Sequence, residues 1–417
     1  MDNATGPTIG DAMTPGNDII IGGGGLNGLV LALALAGEGF DVTLVDALPR
    51  AVRQDPEFDG RSYALALASQ RLIGALGIWQ GIADHAQPIL RIRTSDGRAG
   101  EGPGPFVLAF DHAEIEEGPM GYMVEDRHLR SALLDAAARE PAISHRDGSS
   151  IVAQAVTPGG VTVRLDTGET LEGRLLVGCD GRNSQIAARA RIGRTGWDYR
   201  QTAIVCAVEH ARPHEGTAHQ FFMPGGPLAI LPLKGNRSSI VWSERRDRAE
   251  ALLAMTDADF LAALKPAFGS FLGPITLAGE RWGYPLGLSL ANAMTAERVA
   301  LAGDAAHGVH PIAGQGLNAG LRDVAALSDV LGEARRRGED PGSAGVLDRY
   351  ARWRRFDTAL LGFGTDAFNR LFSNDNPALR LVRDLGMGAV SRLPALRRGL
   401  IREAAGLTGD LPRLMRG

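Results

Sequence analysis

One stretch near the start limits the fold more than any other. Ile19-Ile20-Ile21 is a short β-branched run, and the glycines behind it supply Gly23-x-Gly25-x-x-Gly28 before an apolar periodic segment from about Leu26 to Ala36. Val42-Thr43-Leu44-Val45 then makes a second apolar run that ends in Asp46. In a strand–helix–strand unit the three glycines allow a tight turn, close approach of the backbone to a pyrophosphate, and close packing of helix on strand. Asp46 follows Gly28 by 18 residues, the spacing at which a carboxylate meets a ribose hydroxyl. The plainer alternative, glycines that only pack helix on strand, lacks a reason for the second strand and its acid. A membrane span over Ile19 to Ala36 is also disfavoured, because Gly22 to Gly25 and Asn27 interrupt it. The fold class expected is α/β, with a Rossmann-like domain.

Two later stretches repeat the motif of an apolar strand emptying into a small turn. Leu175-Leu176-Val177-Gly178 leads to Asp180-Gly181 and Ser184. At the carboxyl edge of an open α/β sheet this is where ligands sit, although Asp-Gly is also a common surface turn. Val299 to Leu301 leads to Gly303-Asp304, then to a loop with Gly308, His310, Pro311, Gly314, Gln315 and Gly316. A helix follows, marked by Leu317, Leu321, Val324, Leu327 and Leu331 at three- and four-residue steps. Glycines admit a flat ligand and a helix start favours negative charge, so this loop suits an electron-rich ring. Asp304, His307 and His310 also invite a metal reading, but no cysteine or carboxylate cluster completes a ligand set, and no metal is expected.

Between Thr202 and Glu244 the pattern turns to short strand-like runs separated by Pro224-Gly225-Gly226 and Lys234-Gly235-Asn236. These predict a smaller antiparallel sheet, a cap able to wall in a substrate at a domain junction. Arg61, after Asp59-Gly60, and Arg127, after Asp126, have two readings each: a solvated surface charge, or a donor to a phosphate or flavin edge. From Leu379 onward eight arginines face three acids, with Leu381, Leu385, Leu393, Leu396 and Leu400 interleaved. Such a segment docks on its own protein, or presents an amphipathic surface to an anionic membrane.

A chain of 417 residues, 44% hydrophobic and 22% charged, is long enough for two or three domains and is not disordered. A formal net charge of −4 gives no basic excess for nucleic acid. Cys179 and Cys206, the two cysteines, suggest neither a disulfide framework nor a zinc site and fit a reducing compartment. The first seventeen residues read as a loose tail without the pattern of a signal peptide.

Together the glycine fingerprint with Asp46, the Asp180-Gly181 turn and the Gly303-Asp304 loop resemble the group A FAD-dependent aromatic hydroxylases. Within that group, His310 to Asp323 looks most like the ring hydroxylases (monooxygenases) of ubiquinone biosynthesis, as do Arg61 to Leu67, Leu76 to Trp79, and Gly225 to Leu233 with Val241-Trp242-Ser243. The resemblance spans residues 18 to about 365. It implies bound FAD, held by Gly23, Gly25, Gly28, Asp46, Arg61, Arg127, Asp180, Gly181, Gly303 and Asp304, with Pro311, Gly314, Gly316, Leu317 and Asn318 along the isoalloxazine. His310 and Gln315 belong to the same flavin-ring loop, and no side chain is assigned as an obligatory base. One departure is that Ala187 stands where the family commonly has arginine, with Arg189 two residues later.

The activity implied is hydroxylation of a polyprenylated phenol by O2, through a flavin hydroperoxide, with NAD(P)H as transient electron donor. Membrane-surface contact and other ubiquinone-biosynthesis proteins are the partners implied, nucleic acid is not, and the location is cytoplasmic and peripheral on the inner face of the membrane. Segments 18–75, 116–190 and 286–350 are expected to form the FAD-binding domain. Segments 76–115 and 191–285 are expected to form the substrate domain, and 351–417 a helical region. The alternatives are a hydroxylase of a small soluble phenol and a non-catalytic binding protein on an FAD-type fold. Gly25→Val should block the approach to the pyrophosphate and yield a folded but colourless protein; visible flavin absorbance of the purified variant checks this.

Overall fold

The computed structural model describes residues 17–98, 102–223, 225–308, 315–355 and 393–417. Four strands, each carrying a buried apolar run, form its centre: β1 (Asn17–Gly22), β2 (Val42–Asp46), β3 (Thr170–Gly178) and β4 (Val299–Leu301). All four are parallel, in the order β4-β3-β1-β2, and Ile143–Asp147 continues the parallel sheet beyond β2. Strands of this kind are apolar throughout because both faces of a parallel sheet are covered. Accordingly Ile19, Ile20, Ile21, Leu44, Leu175, Leu176 and Val177 are fully buried. Between β1 and β2 runs helix α1 (Leu26–Gly37), and after β4 comes helix α2 (Gln315–Arg336), which packs against α1. The buried stripe of α2 holds Leu321, Val324, Leu327 and Leu331, four of the five leucines and valines that the 3.6-residue period marks.

The register decides where the ligand edge falls. Gly22 pairs with Val45 on one side and Gly178 on the other, and Gly178 pairs with Leu301. The carboxyl ends of four strands therefore finish in one row, and Gly23, Asp46, Cys179-Asp180 and Ala302-Gly303 all emerge from the same edge.

Among the described residues the second sheet has nine strands. Arg194–His210, Arg237–Arg245, Gly226–Leu233 and Thr217–Met223 form its antiparallel centre, and Arg91–Arg98 joins Thr217–Met223 in parallel. One face packs Ile204, Val208, Ile230 and Trp242 on Phe260, Leu264 and Phe268 of the helix Asp257–Phe268. The other turns Ala207, Ala218 and Leu233 toward Ile89, Met120 and Met123. Trp282–Ala291 belongs to this sheet along its whole length, and its end pairs with His307–Gly308. The second sheet thus touches the loop that follows β4. A small third sheet, Ser62–Ala66 with Gly121–Glu125 and Gln87–Ile89, lies between them.

At the end of the chain, helix α3 (Pro394–Ala404) inserts Ile401 into the same interface. Arg397 pairs with Glu114 at 2.6 Å and Arg402 with Glu117, so both cations are spent on the protein itself. Leu393, Leu396 and Leu400 remain exposed at steps of three and four. The preceding stretch, with Leu381 and Leu385, lies outside the described residues. Among the described residues no helix is long and apolar enough to cross a membrane.

Candidate functional site

Each fingerprint glycine meets a different neighbour. Gly23 has φ +111°, and a Cβ there would lie 2.3 Å from the carbonyl oxygen of Cys179. A Cβ on Gly28 would lie 1.9 Å from the carbonyl oxygen of Gly23. These two glycines serve packing. Gly25 does not: nothing lies within 4 Å of its Cβ position. It caps α1 in extended conformation with no side-chain cap, and no acid occupies the first turn. The free N–H groups of a 12-residue helix therefore open onto clear space, an arrangement that favours a bound anion.

Asp46 is 2% exposed and is not alone. Arg53 Nη2 donates to its Oδ1 at 2.7 Å, and Arg53 Nε lies 2.7 Å from Oδ2. A carboxylate offers about four acceptor positions, so a hydroxyl can still be taken up beside the arginine. Arg53 carries no motif that would single it out in sequence.

At the end of β3 the Asp180 carboxylate turns back on the protein. Its Oδ2 accepts from Gln185 N (2.8 Å) and Ile186 N (3.1 Å), and its Oδ1 accepts from Ser184 Oγ (2.5 Å). The side chain caps the short helix Gln185–Arg189 together with Ser184, whose Oγ accepts from Ala187 N. What faces the open edge here is Gly181, with φ +82° and nothing within 4 Å of a Cβ.

Beneath the Gly303-Asp304 turn sits a buried charge cluster. Asp323 of α2 is fully buried and accepts from Gly303 N (3.0 Å) and Arg354 Nε (2.8 Å), while His307 Nε2 lies 2.6 Å from its Oδ2. Burial works against both charges, yet Asp323 raises the His307 pKa above its ordinary value, and His307 and Arg354 hold Asp323 below the usual carboxylate range. Arg194 secures the turn from the second sheet. It donates to the carbonyl oxygens of Ala305 and Asp304 (3.2 Å) and, by Nε, to Ser289 Oγ (2.8 Å). Asp304 itself is exposed, which leaves its carboxylate facing outward from a rigid mount.

The remaining expected contacts lie around the junction of the two bodies. Arg61 Nε donates to Asp59 Oδ2 (2.6 Å), its guanidinium lies 3.7 Å from Asp126 and 5.4 Å from the centre of the Trp282 ring, and Trp282 Nε1 donates to the Asp59 carbonyl. Burial disfavours its charge, but Asp59 and Asp126 raise its pKa overall. Arg127 pairs with Glu125 at 2.8 Å, and Arg127 and Arg237 both flank the Phe58 ring. Arg61 and Arg127 are both paired with carboxylates, with 37% and 29% of their side chains exposed. Asn318 Nδ2 donates to the Ala64 carbonyl and its Oδ1 accepts from Ala66 N, both at 2.8 Å, tying α2 to the strand Ser62–Ala66. Gln315, Gly316 and Leu317 form the first turn of α2 and are half-buried. His310, Pro311 and Gly314 lie outside the described residues. No group of three or more metal-ligating side chains occurs among the described residues.

The residues present fit FAD on three observations of the protein itself: the clear space at Gly25 and Gly181, the uncapped start of α1, and the outward carboxylate of Asp304 on the same edge. Comparison with known proteins agrees. The family model described as FAD binding domain matches residues 17–359. The ubiquinone hydroxylase UbiL of Rhodospirillum rubrum is 46% identical over all of this chain and 96% of that protein. The 3-demethoxyubiquinol 3-hydroxylase of Escherichia coli is 37% identical over 94% of this chain and 98% of that protein. In fold the chain is similar to the crystal structure of p-nitrophenol 4-monooxygenase PnpA from Pseudomonas putida, with a TM-score of 0.77 at 20% identity, covering 95% and 98% of the two chains.

Asp323→Ala would leave Arg354 and His307 buried without their carboxylate, and a loss of about 3–5 kcal/mol in unfolding free energy is expected by urea titration. The pH dependence has a definite sign. The raised His307 pKa gives stability that is complete below its unfolded pKa and lost as pH rises through the folded one. The lowered Asp323 pKa gives stability that is complete above its unfolded pKa and lost as pH falls through the folded one. The pair should hold the turn most firmly between about pH 4 and 6.5, and His307→Gln should flatten the alkaline side of that profile.

Proposed function

The chain belongs to the FAD-binding-domain family and, within it, to the ring hydroxylases of ubiquinone biosynthesis in the group A flavoprotein hydroxylases, and from that membership we propose that it inserts one oxygen atom of O2 into the ring of a polyprenylated phenol. The enzyme is an FAD-dependent monooxygenase with NAD(P)H as electron donor. One observation carries the reading: the Val45–Gly22–Gly178–Leu301 row, which delivers Gly23, Asp46, Gly181 and Asp304 to a single edge.

Bound FAD supplies electron transfer from the nicotinamide and activation of O2. The protein's part is to hold and shield. The α1 start with Gly25 would receive the pyrophosphate, Asp46 beside Arg53 would take a ribose hydroxyl, and Asp304 would take hydroxyls of the ribityl chain. By the family resemblance, His310, Pro311 and Gly314 through Asn318 would line the ring. Arg61 and Arg127 act from the junction, where their ion pairs fix the segment Phe58 to Arg61 between the bodies. Apolar side chains at that junction, among them Met123, Leu231 and Leu233, suit a greasy substrate and exclude water from the reacting centre. In this scheme segments 18–75, 116–190 and 286–350 hold FAD, except that Trp282–Ala291 stays with the second sheet, 76–115 and 191–285 wall in the substrate, and the helix Pro394–Ala404 closes the junction from outside.

The decisive experiment supplies FAD-loaded enzyme with NADH or NADPH and either a polyprenylated phenol in detergent or the same phenol without its tail. Mass spectrometry should find one added oxygen on the prenylated ring, at least tenfold faster than on the bare phenol. Efficient turnover of the bare phenol alone would instead assign a small soluble substrate.

Contact with the bilayer is part of the proposal, and its carrier is the ridge of Leu393, Leu396 and Leu400. Since Arg397 and Arg402 are paired internally, adsorption should depend on apolar burial more than on lipid charge. Changing all three leucines to serine should abolish co-sedimentation with vesicles, and raised salt should leave the parent's binding largely intact.

A further inference from the structure

Asn27 lies in the middle of the fingerprint, at the second position of α1, and its side chain occupies a slot between two glycines from elsewhere in the chain. A Cβ on Gly303 would stand 2.2 Å from Asn27 Nδ2. A Cβ on Gly320 would stand 2.5 Å from Nδ2 and 2.8 Å from Oδ1. No side chain at either position could coexist with the amide where it is. Gly303 needs glycine in any case, because its φ is +64°. Gly320 does not: it sits inside the 22-residue helix α2, where alanine would favour the helix and glycine disfavours it. The helix tolerates its poorest ordinary residue at this point because Asn27 fills the space.

Within the protein the amide is held by shape. Asn27 Oδ1 is buried and has no donor, an arrangement that proteins avoid unless shape or function demands it. Its position supplies the demand. Asn27 belongs to the helix whose open start faces Gly25, while Gly303 begins the turn that carries Asp304. Gly320 lies one turn beyond the start of the helix that follows the ring loop. One side chain therefore touches all three elements.

We propose that Asn27 is a positioning residue that sets the spacing between the pyrophosphate helix, the Asp304 turn and α2, and through that spacing the grip on FAD. The inference rests on the FAD reading above and concerns the shape of the side chain rather than its hydrogen bonds. Chain elements that must close on one ligand lose affinity steeply when their separation shifts by a fraction of an ångström.

The test uses the full chain with Asn27→Ala, Gly320→Ala, the double variant, and Asn27→Leu, which keeps the volume without the polarity. FAD dissociation constants are read from quenching of flavin fluorescence, and melting temperatures are taken with and without FAD. Gly320→Ala should weaken FAD at least tenfold in the parent, and add less than twofold when Asn27 is already alanine. Should Gly320→Ala fail to fold in the parent yet fold beside Asn27→Ala, the steric slot is equally supported. Asn27→Leu should bind FAD within threefold of the parent.

An equal penalty for Gly320→Ala in both backgrounds would overturn the proposal, as would an Asn27→Leu variant as weak as Asn27→Ala. A parent that bound no FAD would instead overturn the cofactor reading on which the proposal stands.

Discussion

A fully buried aspartate is the constraint from which the rest of the site hangs. Asp323 accepts from Gly303 N and Arg354 while it faces His307, so a helix, a turn and the segment 344–355 meet at one carboxylate. A charge removed from water is tolerated only when its partners are close and well aimed. Here that requirement reverses into a benefit, because satisfying Asp323 leaves the Gly303–Ala305 turn a single place to go. Tyr350 adds a hydrogen bond from its hydroxyl to the Leu301 carbonyl at 2.7 Å, closing the end of β4 from the same side. The exposed Asp304 is held by buried neighbours, as a binding group must be if it is not to lose affinity to its own motion.

The two bodies are joined by similar means. The guanidiniums of Arg127 and Arg237 both lie over the Phe58 ring, Glu125 accepts from both arginines, and Arg61 covers Trp282. These pairs span the first body and the second sheet, and the segment Phe58 to Arg61 is wedged between them. Arg194 does the same at the other end, donating from the second sheet to the carbonyl oxygens of Ala305 and Asp304. The junction is thus ionic and aromatic at its edges and apolar in the middle, a composition suited to enclosing an aromatic guest.

How much of this could be read in advance follows a physical line. Local pattern gave the strand ends: the isoleucines before Gly22, the apolar run before Gly178 and Val299 to Leu301 are strands, and the glycines behind them are turns. The period along α2 is also a local property, and so was legible. Pairing in space is not. Nothing in the sequence joins Arg53 to Asp46, or Arg354 to an aspartate 31 residues earlier, because charge partners are selected by the fold. The Asp180 carboxylate illustrates the intermediate case. Ser184 and Ala187 mark a cap, yet the capping hydrogen bonds leave Gly181 backbone, rather than the acid, on the open edge. Asn318 shows the same exchange, its amide matching the backbone of the strand Ser62–Ala66. The arginines of the last segment divided between readings on sequence, and Arg397 and Arg402 proved to be docking groups.

The order of strands in the central sheet has a consequence for biosynthesis. β1 finds its partner β2 soon after both leave the ribosome, but its other flank waits for Thr170–Gly178, and that strand in turn waits for Val299–Leu301. Parallel strands so distant along the chain are slow to meet, and the uncovered isoleucines are sticky in the meantime. Most of the polypeptide must therefore be translated before the four strand ends stand in one row, which makes cofactor loading a late step in its maturation.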